Sequence, residues 1–503
     1  MRFTSFVSTG EILQDNTYEY DNVGNITFIP DDGRNYRTQL YEYDDINRLI
    51  ESNGNWENHT LDYKASYLYS DAGRMLQKDV NSQRLNNNMG VYNVDYNNKF
   101  TYFSDNPFAV KNIDNDGINT DFKWDANGNL VCAGSDKPRF RRKLCWTEDN
   151  RLQGYRNRSD EEGDIAAWYN YNAGGERNLK ITTPQTRVRQ NAIEAMYVPA
   201  LAYPTLYASA LITLTRNGYT KHYYEGTNRV CSKLGGGFAT VNWGDIETPV
   251  PELANDYHDQ VIGQDKSIST TFGRCLNTEV EMQISSLYDM LMHEHNRPLE
   301  NEKAFYYHSD HLGSASYLTD DGGQVTQMLN YLPYGEDWID VRNNLDPRLG
   351  QYTFNGKEKD YESGFHYYGA RYYWSEVLTG WLSVDPMMDK YPNVSPYAYC
   401  TWNPVLFVDP DGEEKLICYN TNTPKLSSFK GKGSWNRFQK AMDSWRANCN
   451  LEKSAKKYKD YNGVIHLFAH GSSQRVDLAN HGSKDAVGLE VFLGNNSKTY
   501  QKH

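Results

Sequence analysis

A short pattern recurs along the first half of the chain: aromatic, any residue, aromatic, Asp, two residues, then Gly or Asn, a polar residue and an aliphatic one. One copy reads Tyr18-Glu19-Tyr20-Asp21-Asn22-Val23-Gly24-Asn25-Ile26. Others lie at 41–49, at 67–75 with Ser70 in the acidic slot, and at 122–130. Looser copies lie at 145–152, 169–177 and 224–230. Alternating aromatics dictate a strand with one buried face. Asp followed three residues later by Gly or Asn dictates a turn, because the carboxylate accepts local amides and Gly or Asn tolerates positive φ. Each copy therefore predicts a β-hairpin. A single hairpin is barely stable, so the copies must stack into a spiralling β array. The repeated Asp residues read as turn formers, not as catalytic groups or metal ligands.

Composition agrees with an aromatic core. The chain has 503 residues, of which 40 are Tyr, 18 Phe and 11 Trp, against 38% hydrophobic residues in all. Aromatics favour strands and bury large areas. No stretch is apolar for long enough to form a membrane helix. The start at Met1 shows no signal peptide and reads as entry into the middle of a strand, as in a piece of a longer product. Seven cysteines at wide spacing, with no CxxC, predict free thiols in place of a disulfide framework or zinc site. Charge is uneven: residues 413–503 hold 15 basic and 8 acidic residues, whereas 1–412 hold 37 and 57. An acidic body followed by a basic tail speaks to partners, not to fold.

The stretch 306–412 is dense in Tyr, Gly and turn pairs and ends in Asp409-Pro410-Asp411-Gly412. It contains, in order, His308-Ser309-Asp310-His311-Leu312-Gly313-Ser314, Tyr334-Gly335-Glu336 and Phe354-Asn355-Gly356-Lys357-Glu358. Then come Tyr368-Gly369-Ala370-Arg371-Tyr372-Tyr373, Trp381-Leu382-Ser383-Val384-Asp385-Pro386, Ser395-Pro396-Tyr397-Ala398-Tyr399 and Asn403-Pro404. With the hairpin repeats, these pieces resemble the tyrosine-aspartate (YD) repeats and the repeat-associated core domain of the Rhs family. The resemblance covers some four-fifths of the chain.

The resemblance implies a mainly β fold. A YD-repeat β-shell segment would span 1–300, with an irregular insertion; within it, apolar residues at helical spacing over 279–295 predict one amphipathic helix. A core domain at 301–412 would plug it, and a small variable α/β toxin-like domain, whole or truncated, would occupy 413–503. It also implies function: a polymorphic toxin of bacterial competition, secreted or cell-surface, whose shell encloses its own C-terminal effector. Implied partners are an immunity protein and a secretion machinery, and no cofactor is implied. The core domain would free the effector by aspartyl self-cleavage, with Asp385 and Asp409 as the catalytic pair and the cut between Gly412 and Glu413. Two neighbouring carboxylates can split roles, one protonated and one ionised, to activate water against a peptide carbonyl. Asp-Pro pairs also serve as plain strand-end turns. Three positions depart from the family pattern: Met388 replaces a glycine, Glu413 an apolar residue, and Gly380 an arginine before Trp381. The alternative reading is a non-enzymatic YD-repeat surface or scaffold protein with an inert tail.

Histidines at 293, 295, 308 and 311 lack metal-ligand spacing and read as structural. In the tail, a β-α-β order ends a buried strand at His470-Gly471. His470, with His466 or His481 nearby, is a candidate general base. It would belong to a caspase-like peptidase, for which no cysteine follows Cys449, or to a nuclease served by the tail's positive charge.

Overall fold

In the computed structural model, residues 2–236, 302–413 and 416–417 are described, apart from 8–9, 58–59, 137–138, 160–162, 183–187, 191–192, 197–204, 216–217, 226–227, 344–345, 347 and 391–393. The helix expected at 279–295, the tail's β-α-β order and His470 lie outside these residues.

Alternation builds the wall. In the strand Leu61–Tyr69, residues Leu61, Tyr63, Ala65, Tyr67 and Tyr69 are buried while Asp62, Lys64 and Leu68 are exposed. Successive strands pair antiparallel from Arg2–Phe6 onward as one long meander. The small hairpin Val188–Gln190 and Ile193–Met196 stands apart, and Arg177–Thr182 pairs directly with Thr205–Ser209. The wall then runs without a break from Asn228–Gly235 to Lys303–Ser309 and on to Asp337–Arg342. That last strand lies parallel on the end of Met75–Asn86, pairing Ile339 with Leu85 and Asp340 with Asn86. The sheet thus winds back onto itself as a spiral shell. Among the described residues there is no α-helix, and none long and apolar enough to cross a membrane.

The turns form as their sequence demands. Asp21 Oδ1 accepts the amides of Val23 at 3.0 Å and Asn25 at 2.8 Å. Asp44 and Asp125 repeat this grip, and Asn172 does so in its looser copy. Asp310 and Asp320 make the same turn, so the His308–Ser314 motif is itself a repeat. Gly24, Asn47, Gly128 and Gly313 take the positive φ that these turns require.

A second regularity ties each repeat to the one before it. The second aromatic of a repeat donates to the carbonyl of the aliphatic residue that closed the preceding turn. Tyr43 reaches Ile26 at 2.8 Å, Tyr69 reaches Leu49 at 2.8 Å and Trp146 reaches Leu130 at 2.7 Å. Tyr102, Trp124 and Tyr171 make equivalent bonds to Met75, Val110 and Leu152. Only an aromatic carrying a donor can do this, which explains Tyr or Trp at that position.

Inside the wall sits a small antiparallel sheet of Glu358–Asp360, Phe365–Tyr367, Tyr372–Trp374 and Gly380–Trp381. Its aromatics join those of the wall in one core: Tyr155 meets Phe365 at 5.4 Å, Phe122 meets Trp374 at 6.4 Å, and Tyr169 meets Tyr372 at 5.6 Å. Each such pair contributes about 1 kcal/mol beyond simple burial. The inner segment also hangs on the row of turns. Trp402 donates to Gly73, Tyr397 to Gly128, and Asn403 to both Asn25 and Asn47.

Buried charges complete the docking. Arg177 pairs with Glu358 at 2.9 Å and Asp360 at 2.6 Å, and Lys180 with the same two at 3.0 and 2.8 Å. Elsewhere Lys78 of the wall meets Glu336 at 2.6 Å, both fully buried. Cys132 and Cys231 are free thiols, as expected, but Cys145 is disulfide-bonded, against the expectation of free thiols.

Candidate functional site

The short strands Phe407–Val408 and Leu416–Ile417 pair with each other, and residues 409–413 leave the first of them as a loop. Asp409 opens this loop. Its Oδ1 accepts the amides of Gly412 at 2.7 Å and Asp411 at 3.3 Å. Gly412 has φ +81°, and a Cβ there would lie 2.8 Å from the Arg371 amide. Glycine is what lets the loop lie directly on the 369–371 backbone.

Asp385 arrives from the other Asp-Pro motif. Its Oδ1 accepts the Met387 amide at 2.7 Å, and its own amide is held by the Pro396 carbonyl at 3.1 Å. The turn reading of the motif is therefore correct, and it leaves the second carboxylate oxygen free to point elsewhere.

Both carboxylates converge on Arg371. Its Nη2 lies 3.3 Å from Asp385 Oδ2 and 3.1 Å from Asp409 Oδ2. Its Nε donates to the Gly412 carbonyl at 2.5 Å, and Nη1 to the Pro396 carbonyl at 3.4 Å. The guanidinium stacks on Trp381, 4.0 Å from the ring centre. An arginine is thus present over Trp381 although Gly380 precedes that residue in sequence. Burial pushes the Asp409 carboxyl up to about 6; Arg371 opposes the shift and Asp411 adds to it. A pocket of about 30 Å³ opens between Arg371, Asp385, Asp409, Pro396 and Glu413. That space accommodates a water molecule.

The structure therefore brings together Asp385, Asp409, Gly412 and Glu413, all marked in the sequence. Two participants were not marked. Arg371 was visible only as part of a motif, and Lys357, whose Nζ donates to the Pro410 carbonyl, likewise. An arginine within the tyrosine-rich run 367–374, with no acidic neighbour in sequence, was the available signal. The core histidines have structural partners: His308 meets Thr319 at 3.1 Å, and His311 bonds the Val405 carbonyl at 2.9 Å and packs on Tyr18.

No family model matches the chain. It is 23% identical over 453 residues to the toxin subunit YenC2 of Yersinia entomophaga, covering 83% of this chain and 39% of that protein. The toxin protein Tse5 of Pseudomonas aeruginosa is 36% identical over 108 residues, 21% of this chain and 8% of that one. Among solved structures, the crystal structure of TcdB2-TccC3-TEV superposes with a TM-score of 0.52 at 18% identity, over 82% of this chain and 18% of that one. Spiral wall, repeated turns and inner sheet together make a β-shell fold, the fold shared with that structure. These relatives bear out the resemblance to the Rhs/YD-repeat proteins that the sequence motifs show. It spans about two-fifths of the length of the YenC2 relative.

Proposed function

We propose that this chain is the shell-and-core segment of a polymorphic toxin and that it cuts its own backbone between Gly412 and Glu413. The observation that carries this reading is Arg371, whose one guanidinium touches both candidate carboxylates and the carbonyl of the bond to be cut. In the proposed step, Asp385 takes a proton from a water in the adjoining pocket, and the water oxygen attacks the Gly412 carbonyl carbon. Arg371 Nε stabilises the charge that develops on that oxygen. The bond to the Glu413 nitrogen then breaks, and the Asp409 carboxyl, held partly protonated near neutral pH, supplies the proton that the leaving amine takes up.

The released piece is the basic segment after Gly412, which acts as the effector. Its positive charge against the acidic body favours enclosure within the shell. An immunity protein, an export machinery and a secreted or surface location belong to the same reading. The test is the intact mass of the purified chain. Two products meeting at Gly412, with a single whole species when Asp409→Asn or Asp385→Asn is made, support it. A wild-type chain that stays whole through prolonged incubation overturns self-cleavage and favours a scaffold of the same fold.

A further inference from the structure

Three consecutive carbonyls lead up to the proposed cut, and each has its own donor. Pro410 is held by Lys357 Nζ, Asp411 by the Ala370 amide at 2.8 Å, and Gly412 by Arg371 Nε at 2.5 Å. Two of the donors come from the 369–371 backbone and side chain. The third is a half-buried lysine from a separate turn. Lys357 follows the tight turn Phe354–Gly356, whose Phe354 carbonyl accepts the Lys357 amide. The ammonium lies 5.4 Å from the centre of the Tyr368 ring. It does not touch the pocket between the carboxylates, so it has no direct part in the bond change.

Resting on the self-cleavage reading, we propose that Lys357 is a positioning residue for the cut. It fixes the Pro410 carbonyl and so holds the Asp409–Gly412 loop in the arc that lays the Gly412 carbonyl on Arg371. Releasing Pro410 lets the loop pivot about its two remaining carbonyl bonds and the Arg371–Asp409 pair, and a shift of about 1 Å at the reacting carbonyl costs on the order of a hundredfold in rate.

The grip depends on charge. Burial pushes the Lys357 ammonium down to about 8; Asp409 and Asp411 oppose the shift, and Arg229, facing it from the wall, adds to it. As pH rises through that value the ammonium loses its proton, the charge-assisted bond to Pro410 weakens, and Asp409 and Asp411 lose a neighbouring cation. Cleavage should therefore fall in two steps on the alkaline side, the first as Asp409 loses its proton through about 6 and the second near 8 as Lys357 loses its own.

The test uses the full chain made by cell-free synthesis and moved into buffers from pH 5.5 to 9.5, with loss of intact chain followed in time. The Lys357→Met variant should cut about tenfold or more slowly at pH 7 and lack the second alkaline fall near 8, while keeping the fall set by Asp409. Lys357→Arg, still charged across this range, should recover the rate and also lack only the second fall. Thermal melting of each variant separates a lost grip from a lost fold. Wild-type rates with an unchanged pH profile in Lys357→Met would overturn the proposal. If the wild-type chain does not cut at all, the cleavage reading falls, and amide hydrogen exchange decides the positioning role by itself. Faster exchange at Asp411, Gly412 and Glu413 in Lys357→Met than in wild type upholds the role, and equal exchange overturns it.

Discussion

Arg371 Nε sits 2.5 Å from the carbonyl oxygen of Gly412 while Nη2 of the same side chain rests against Asp409, 3.1 Å away. One planar group thus addresses the carbonyl and its candidate acid at once. A lysine there offers a single point of charge and no fork. Arg371→Lys is expected to slow self-cleavage by about a hundredfold or more, the usual loss when an oxyanion donor is removed. Densitometry of intact against cut chain after a timed synthesis measures it.

Asp409 predicts a pH dependence of stability. Its carboxyl is pushed up to about 6 by burial, above an unfolded value of about 4. The folded state therefore binds the proton more tightly. The stabilisation this gives is complete below about 4 and is lost as pH rises through 6. The melting temperature of wild type should fall more steeply between pH 4 and 7 than that of Asp409→Asn, which has no proton to lose. Equal slopes would remove burial of this carboxyl as a contributor.

The docking of the inner sheet rests on buried charge. Lys180 reaches Asp360 Oδ1 at 2.8 Å and Glu358 Oε1 at 3.0 Å, with these side chains all but excluded from solvent. Lys180→Met leaves these carboxylates short of a partner and should cost about 3–5 kcal/mol in urea unfolding. Adding Asp360→Asn should recover part of that loss, since the bared charge is the main expense.

The repeat-to-repeat bonds should each be modest and additive. Tyr43→Phe and Trp146→Phe delete the donors to Ile26 and Leu130 and should each lower stability by about 1 kcal/mol. The two sites are far apart in the wall, so the double variant should show the sum within about 0.5 kcal/mol by denaturant titration.

The wall was legible in the sequence because its rules are local. Asp21, Gly24 and Asn25 make their turn with one another, so spacing alone reveals it. The turn at Leu332–Glu336 was not readable this way, since its Leu332 amide and carbonyl bonds to Glu336 and Gly335 need no side-chain carboxylate. The aromatic donors were counted as core formers, and their second role requires knowing which carbonyl each one faces. Asp385 and Asp409 stood out by their prolines. Arg371 and Lys357 did not, because what assigns them is a fold that brings residues 357, 371, 385 and 409–412 to one place. The pairing of Lys180 with Asp360 was likewise invisible, being a contact between turns of the spiral and its contents.

The parallel meeting of Ile339 with Leu85 constrains how such a chain can change its bore. Every step of wall between these two strands is antiparallel, so direction alternates with each strand, and a parallel return demands an even number of steps. Adding or removing a single strand would bring Asp337–Arg342 back pointing the wrong way and present its edge in the wrong register. The circumference can therefore grow or shrink only in whole hairpins. Each such increment would widen the enclosure by two strand spacings of about 4.8 Å. The capacity of the shell is in this sense quantised by its topology.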